Sequence, residues 1–239
     1  MVRPLSPNSV EAIRNFFIER DDHLSATVVA VVAYSGLRPG ELRGLTWEHV
    51  RESVLRIEQA IADDGVEDTK TKNVRTVRLL SPLKSDLLKW QLRTGHRSGP
   101  VFRSRSGGHW SDDGWKKWQT KKFKVAAKAI GFEGAVAYDL RHSFASLLIH
   151  EGMNVIEVAA QLGHSPAMTL STYAHLFTEA IEERSAEEAI EAARDLEFTK
   201  SSPRAIRDSE NHLNSAPELK PTPGFEPGTP SLRVKCSTN

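Results

Sequence analysis

The chain has 239 residues, of which 39% are hydrophobic and 26% are charged, and its formal net charge is +1. These values are typical of a globular protein with a substantial core, and so small a net charge does not by itself indicate a nucleic-acid partner. The single cysteine, Cys236, excludes a disulfide framework and a cysteine-based zinc site. The sequence predicts a cytoplasmic protein, because the N-terminus lacks the apolar segment of a signal peptide and the longest apolar run, residues 26–37, is too short to cross a membrane.

The charges are distributed unevenly along the chain. Residues 66–124 contain fifteen Lys and Arg against five Asp and Glu, whereas residues 179–197 contain eight acidic residues against two Arg. A basic segment is a candidate surface for an anionic partner. A solvated charged face is the simpler explanation of either run, and it fits the acidic run better.

Apolar spacing and capping residues predict a mainly α fold with a small antiparallel β-sheet (α+β). The first helix follows the capping candidates at residues 6–9. Further helices are expected at residues 25–35, from 39 onward, and at 83–92, 111–130, 137–151, 155–161, 166–177 and 179–194. Two β-rich segments, 54–57 and 74–79, are expected to pair antiparallel, and residues 101–102 to form a short strand. Because Pro, Ser, Asn and Gly accumulate after residue 197, we expect one folded domain at residues 1–197 and a flexible tail at 198–239.

A short helix–turn–helix predicted around Gly163 presents two chemically useful side chains. Gly163 ends one helix, Ser165 can cap the next, and Pro166 suits its first turn. His164 then lies just ahead of the second helix, and Tyr173 about two turns inside it. Taken alone, these residues are equally well explained as a packing unit with a buried His and a half-buried Tyr.

Three other segments contain residues that suit the binding of an anion. Arg38 follows the most apolar helix, where a guanidinium needs an anion or the nearby carboxylate of Glu41. Lys70 lies in a basic turn that leads into a strand, and Arg141 lies at the edge of the apolar stripe of a helix. Each residue separately also fits a structural ion pair, a solvated side chain or a packing role.

In their order and sequence contexts these residues resemble the tyrosine recombinase (phage integrase) family. The matching segments are GLRPGEL at Arg38, TKTKNVRTV at Lys70, DLRHSFAS at Arg141, LGHS at His164 and TLSTYAH at Tyr173. The resemblance spans residues 36–175 and implies that the catalytic domain of the family accounts for nearly all of the chain before the tail.

The resemblance implies a site-specific recombinase or integrase from a mobile element. Such an enzyme cleaves and rejoins DNA through a 3′-phosphotyrosyl intermediate, with Tyr173 as the nucleophile. Arg38 and Arg141 would bind the scissile phosphate, because two planar guanidinium groups suit the charge that develops on its oxygens. His164 would add a hydrogen bond to the same phosphate.

The resemblance also assigns the remaining catalytic roles. Lys70 would protonate the departing 5′-hydroxyl, with Lys72 as its competitor, and Glu41 would brace the arginines. No metal and no cofactor would be needed, because the phosphotyrosine retains the bond energy for rejoining.

Two features depart from the family pattern. The position three residues before the second arginine usually holds His or Lys, which assists deprotonation of the nucleophile, but here it is Tyr138, and a phenol is a poor base near neutral pH. Because the sequence starts at what resembles the first helix of the catalytic domain, it would also lack the N-terminal DNA-binding domain usual in the family. The alternative interpretation is therefore a truncated, weakly active or inactive DNA-binding remnant of an integrase, and a topoisomerase or resolvase with the same chemistry is a further rival.

The expected partner is double-stranded DNA, bound by a homotetramer. The candidate DNA-binding residues are basic and lie in or beside the basic segment: Lys72, Arg75, Arg103, Arg105, Lys116, Lys117, Lys121 and Lys122. The acidic helix predicted at 179–194 is expected to dock onto a neighbouring subunit or, equally, to pack against its own.

The tail suggests which DNA is used. Residues 224–227 (GFEP) can be encoded by GGN-TTC-GAA-CCN, the complement of the T-arm of a tRNA gene, and residues 236–239 with a stop codon by the complement of a D-arm. Elements of this family commonly integrate at tRNA genes. The sequence therefore predicts that the reading frame ends within a tRNA-gene attachment site.

Overall fold

The computed structural model describes residues 4–62, 65–68 and 74–182. Its helices are α1 (Pro7–Ile18), α2 (His23–Ser35), α3 (Pro39–Gly44), α4 (Ser81–Thr94), α5 (Asp112–Trp118), α6 (Lys124–Ala129), α7 (Asp139–His150), α8 (Val155–Leu162) and α9 (Pro166–Glu182). Its strands are β1 (Val54–Ile57), β2 (Gln59–Ala62), β3 (Gly65–Asp68) and β4 (Arg75–Arg78). Within these ranges no helix combines the length and the apolar character that crossing a membrane requires.

Helix α2 forms the centre of the core. Its side chains are almost all apolar, and most of them are buried, including Val28, Val29 and Val31. It can bury several faces because α1, α4 and α7 all pack against it. Helix α2 ends at Gly36, whose φ of 62° places it in the left-handed region. This conformation turns the chain sharply towards α3.

The strands form two antiparallel pairs. Strand β1 pairs with β4, with Leu55 opposite Val77, as the sequence predicted. Strands β2 and β3 form a second hairpin, with Gln59 opposite Asp68. Helices with two small antiparallel sheets confirm the predicted fold class.

Several predicted elements differ from the structure. Strands β2 and β3 were not predicted. The expected strand at 101–102 is not formed, although Val101 N donates to Leu45 O (2.9 Å) beside an isolated bridge between Thr46 and Pro100. The helix expected at 111–130 is divided into α5 and α6 by a π-helical turn at Gln119–Phe123. Helix α9 runs to Glu182 without the break expected at residue 178. The rest of the predicted acidic helix and the tail at 198–239 lie outside the described residues.

Replacing Gly36 with Ala should destabilise the fold more than a glycine substitution at another helix end. An added Cβ would lie 2.5 Å from Phe144 Cδ1 and 3.0 Å from Leu162 Cδ2, in addition to the left-handed strain. At Gly95, where φ is 70°, a Cβ would meet nothing within 4 Å, so Gly95→Ala isolates the strain. In urea denaturation we expect the unfolding free energy to fall by about 1 kcal/mol for Gly95→Ala and by about 3 kcal/mol for Gly36→Ala. Equal decreases would show that the side chains of Phe144 and Leu162 can move aside at no energetic cost.

Candidate active site

Three successive carbonyl groups at the C-terminal end of α8 each accept a hydrogen bond from a different arginine. The pairs are Gln161 O with Arg75 Nε (3.2 Å), Leu162 O with Arg141 Nη2 (2.6 Å) and Gly163 O with Arg38 Nη2 (2.8 Å). The last carbonyls of a helix have no partner within the helix and form the negative end of its dipole, so they attract cations. The end of α8 thus brings together side chains from β4, α7 and the start of α3.

Glu41 supplies a negative charge that offsets part of the positive charge of this cluster. Its carboxylate is only 4% exposed and accepts two bonds from Arg75, to Oε1 at 2.6 Å and to Oε2 at 2.7 Å. It also accepts bonds from the Arg38 side chain (3.0 Å) and backbone N–H (2.8 Å), the latter as part of the cap of α3. Burial raises the pKa of Glu41, but the hydrogen bonds and charge of Arg75, with help from Arg38, outweigh it and lower the pKa overall.

Arg141 lies fully buried on α7. Its Nη1 donates to Gly36 O at the end of α2, and its Nη2 donates to Leu162 O and lies 2.9 Å from His164 Nε2. Burial, followed by the nearby charge of Arg38, lowers the pKa of Arg141 to about 10, which leaves it a cation at neutral pH. Its Nε is buried and has no hydrogen-bond partner among the described residues.

His164 is neutral and oriented by Arg141. Burial and the charges of Arg141 and Arg38 lower its pKa to about 4. Because Nε2 faces a guanidinium donor, it accepts, and we assign the ring proton to Nδ1. That nitrogen is buried without a partner in the described part of the chain, which leaves an unused donor beside the arginines.

Tyr173 lies on α9, which begins as the sequence predicted: the hydroxyl of Ser165 accepts from the backbone N–H of Met168 at 3.2 Å. The Tyr173 side chain is fully buried, and its hydroxyl lies 2.8 Å from His142 Nδ1. Burial raises the pKa of Tyr173 to about 12, although Arg141 acts in the opposite direction. The nucleophile expected from the sequence is therefore protonated and has an imidazole as its partner.

The sequence did not single out His142 as a site residue. The available signal was its position directly after Arg141, but the contact with Tyr173 depends on how α7 and α9 pack. Tyr138 precedes α7 as its capping residue and is 40% exposed. Its ring lies edge-on against His142, with 5.1 Å between ring centroids. Lys70 and Lys72 lie outside the described residues.

The structure separates the candidate DNA-binding residues into different environments. Arg75 belongs to the arginine cluster, where its pairing with Glu41 makes it part of the framework rather than a free phosphate contact. Arg103 donates to Ser98 O at 2.7 Å, whereas Arg105 is exposed.

Of the four candidate lysines of α5 and the π-helical turn, Lys122 lies far from the arginine cluster. Lys122 pairs with Asp22, which caps the start of α2, whereas Arg141 contacts the end of α2. These ends are about 20 Å apart, because α2 has 13 residues. Lys116 pairs with Asp112, and Lys117 and Lys121 are exposed. No group of three or more His, Cys, Asp or Glu side chains that could hold a metal ion is found in the described ranges.

Comparison with known proteins gives consistent matches. A model of the phage integrase family matches residues 3–180. The chain is 29% identical over 176 residues to ICEBs1 integrase of Bacillus subtilis (strain 168), a match that covers 67% of this chain and 47% of the relative. It is 28% identical over 188 residues to the prophage integrase IntR of Escherichia coli (strain K12), covering 69% and 45%. The chain thus spans about half the length of the curated relatives it matches.

Two solved structures have the same fold. XerA recombinase matches with a TM-score of 0.60 and 22% identity, covering 85% of this chain and 66% of that one. The Tn1549 transposon integrase in complex with transposon right end DNA matches with a TM-score of 0.62 and 18% identity, covering 82% and 66%.

Replacing Glu41 with Gln should destabilise the protein in a pH-dependent manner. At neutral pH the variant leaves the poorly exposed Arg75 without its counter-charge, which typically costs about 3 kcal/mol of unfolding free energy. Because the folded pKa of Glu41 lies below the ordinary value of 4.5, its contribution is complete above pH 4.5 and is lost as the pH falls through the folded pKa. We therefore expect urea denaturation between pH 3 and pH 7 to show that the difference in unfolding free energy between the variant and the wild type becomes smaller below about pH 4.5.

Glu133→Gln is the matched control, since its ion pair with Lys128 (2.7 Å) is exposed. We expect a loss below about 1 kcal/mol for this variant. If Glu41→Gln lowers the unfolding free energy by an equally small amount, or by an amount that does not change with pH, the bracing role of Glu41 is contradicted.

Proposed function

Because the chain belongs to the phage integrase family, we propose that it is a site-specific DNA recombinase that cleaves and rejoins DNA through a 3′-phosphotyrosyl intermediate. The observation that carries the proposal is the arrangement at the end of α8. Arg38 and Arg141 donate hydrogen bonds to adjacent carbonyl groups there, and the imidazole of His164 is within hydrogen-bond distance of Arg141. Main-chain carbonyls accept hydrogen bonds from both guanidinium groups, and Glu41 pairs with Arg38.

A phosphodiester fits this arrangement chemically. In-line attack by an oxygen nucleophile places additional negative charge on the non-bridging oxygens of the phosphate, and preorganised guanidinium groups stabilise that charge. The unpaired Nδ1–H of His164 and Nε–H of Arg141 are donors without an acceptor in the described part of the protein. An anion reaching the cluster would satisfy them.

The described conformation is closed. Arg141 and Tyr173 are both fully buried, so a DNA phosphate reaches them only after a neighbouring segment moves. We therefore propose that DNA binding opens the cluster before cleavage. The electrostatic attraction of the exposed Arg105, Lys117 and Lys121 for the DNA backbone would contribute to that binding.

In the proposed reaction, Tyr173 attacks phosphorus and the 5′-oxygen leaves. Lys70 donates the proton that this oxygen needs, with Lys72 as its competitor. The reverse attack by a 5′-hydroxyl rejoins the strand and releases Tyr173. The phosphotyrosyl bond conserves the energy of the broken bond, so the step needs no metal ion or nucleotide.

Our proposal for the wider assembly is based on the resemblance to the family. We propose that residues 1–197 form the catalytic domain, that residues 198–239 are a tail, and that the protein acts in the cytoplasm as a homotetramer on two duplexes. We further propose that a tRNA gene is the attachment site, on the strength of the codon possibilities at residues 224–227 and 236–239. The nucleotide sequence tests this directly: codons that do not complement a tRNA would refute it.

The wild-type protein should form a covalent adduct with DNA that Tyr173→Phe abolishes. The substrate is a nicked duplex carrying the tRNA-derived attachment sequence, in which loss of the short cleaved fragment prevents rejoining. A protein–DNA band that resists denaturation, with the link mapped to Tyr173 by mass spectrometry, is the expected result.

The chain offers its own controls, because it contains only two other tyrosines, Tyr34 and Tyr138. Tyr34→Phe should retain the adduct, since the Tyr34 hydroxyl bonds to Glu11 instead. Wild-type protein that binds the duplex without forming an adduct would contradict the proposed chemistry and favour a DNA-binding remnant. Relaxation of supercoiled plasmid without joining of two duplexes would favour a topoisomerase.

Lys70 and Lys72 can be distinguished with a substrate whose leaving 5′-oxygen is replaced by sulfur. A thiolate leaves without protonation, so the sulfur substrate does not need the general acid. Lys70→Ala should slow cleavage of ordinary DNA by about 10²-fold or more and cleave the sulfur substrate at nearly the wild-type rate. Lys72→Ala is the matched control and should show no such rescue. The opposite pattern would assign the acid to Lys72.

A further inference from the structure

His142 is the side chain that contacts the oxygen expected to attack DNA. We propose that His142 is the general base that accepts the Tyr173 proton during attack. It would do so in place of the His or Lys that the family usually has at the position of Tyr138. The proposal rests on the function proposed above. It adds a catalytic residue that neither the sequence motifs nor the arginine cluster had identified.

The geometry suits proton transfer. His142 Nδ1 and the Tyr173 hydroxyl oxygen are 2.8 Å apart, which is within the range for direct transfer. The two rings meet edge to face, with 5.7 Å between centroids and 63° between planes. His142 lies on α7 and Tyr173 on α9, and these helices pack against each other. The contact is therefore part of the helix packing and does not depend on a loop.

The other polar rings near Tyr173 are poorly suited to the role. His164 directs its Nε2 to Arg141, so the lone pair on this nitrogen is already used. Tyr138 offers only a phenol hydroxyl, which is a poor base. The Tyr138 ring instead packs edge to face with the imidazole ring of His142, with 72° between the two ring planes. Tyr138 thus limits how the imidazole can turn.

The charges around His142 favour a neutral ring that can become protonated. Burial lowers the pKa of His142, and Arg141 acts in the same direction, so the ring is neutral at neutral pH. Asp139, one turn earlier on α7, favours the charged form and would stabilise the imidazolium once it forms. From the other elements, the ring faces Tyr173 on α9, the preceding Tyr138, and the neutral His164.

The proposed step is balanced in atoms and charge. As the Tyr173 oxygen forms its bond to phosphorus, its proton moves to His142 Nδ1, and the bond from phosphorus to the 5′-oxygen breaks. The general acid proposed above protonates that oxygen. During rejoining, the 5′-hydroxyl attacks the phosphotyrosine and returns its proton to the general acid. The departing Tyr173 oxygen recovers its own proton from His142, which returns to the neutral form.

His142→Asn is the decisive variant. The Asn side-chain oxygen can occupy the place of Nδ1 and accept the hydrogen bond of Tyr173, but it cannot take the proton. We expect adduct formation on the nicked duplex to slow by 10²- to 10⁴-fold, while DNA binding is retained. Wild-type protein should lose activity as the pH falls through the pKa of His142, and this acid limb should be missing in the variant.

Fluorinated tyrosine at position 173 separates a base from a structural contact. Each fluorine makes the phenol more acidic, so the nucleophile needs less help from a base. The deficit of His142→Asn should therefore shrink as fluorines are added. His150→Asn, two turns further along α7, is the matched control and should behave as wild type with every tyrosine analogue.

The outcomes are distinguishable. Adduct formation at the wild-type rate by His142→Asn would overturn the role of His142 and leave the proposed function intact. A deficit that fluorination leaves unchanged, with the acid limb preserved, would assign His142 a packing role only and also overturn the proposal. Absence of any adduct with wild-type protein would remove the proposed function and this role with it.

Discussion

The architecture of the site depends on the end of one short helix. Helix α8 leaves its last carbonyls without partners inside the helix, and three of them are bonded by arginines from β4, α7 and the turn before α3. Segments as distant in sequence as Arg38 and Arg141 thereby meet. Gly163 makes this possible, because its left-handed φ of 66° ends the helix and a Cβ there would lie 3.0 Å from the Arg75 side chain.

Three cations at one helix end repel each other, and the structure contains the means of offsetting that cost. Glu41 pairs with both Arg38 and Arg75 and offsets one of their two positive charges. Arg141, in contrast, has only neutral hydrogen-bond partners: two carbonyls and an uncharged imidazole. Arg141 is thus the cation that most lacks a counter-charge, which agrees with the lowering of its pKa to about 10. A phosphate that displaced one of its carbonyl partners would supply the missing negative charge.

Much of the fold follows from local signals in the sequence, whereas the grouping of Arg38, Arg141 and His164 was expected only from the resemblance to the integrase family. Helix ends were correctly predicted where a residue has a characteristic capping role. Gly36 ends α2 in the left-handed conformation, and Ser165 caps the start of α9. The β2–β3 hairpin was not predicted because its stabilisation comes from packing on α3. The π-helical turn after Trp118 was not predicted because it leaves no distinct hydrophobic periodicity in the sequence. The bracing role of Glu41 was expected, but not its pairing with Arg75, because that contact joins residues 34 positions apart. Likewise, no local pattern indicates that His142 faces α9 rather than the core.

The same helix arrangement couples the arginine cluster to Tyr173. Helix α7 carries Arg141 and His142 as neighbours, and these bind the end of α8 and the side chain of Tyr173 respectively. Only three residues, 163–165, separate α8 from α9, so the two helices cannot move independently by much. Any movement that exposes Arg141 to DNA must therefore disturb the surroundings of Tyr173 as well. Under the proposed function, the buried phenol would in this way be kept from reacting until Arg141 becomes accessible to the phosphate, which would link release of the nucleophile to arrival of the substrate.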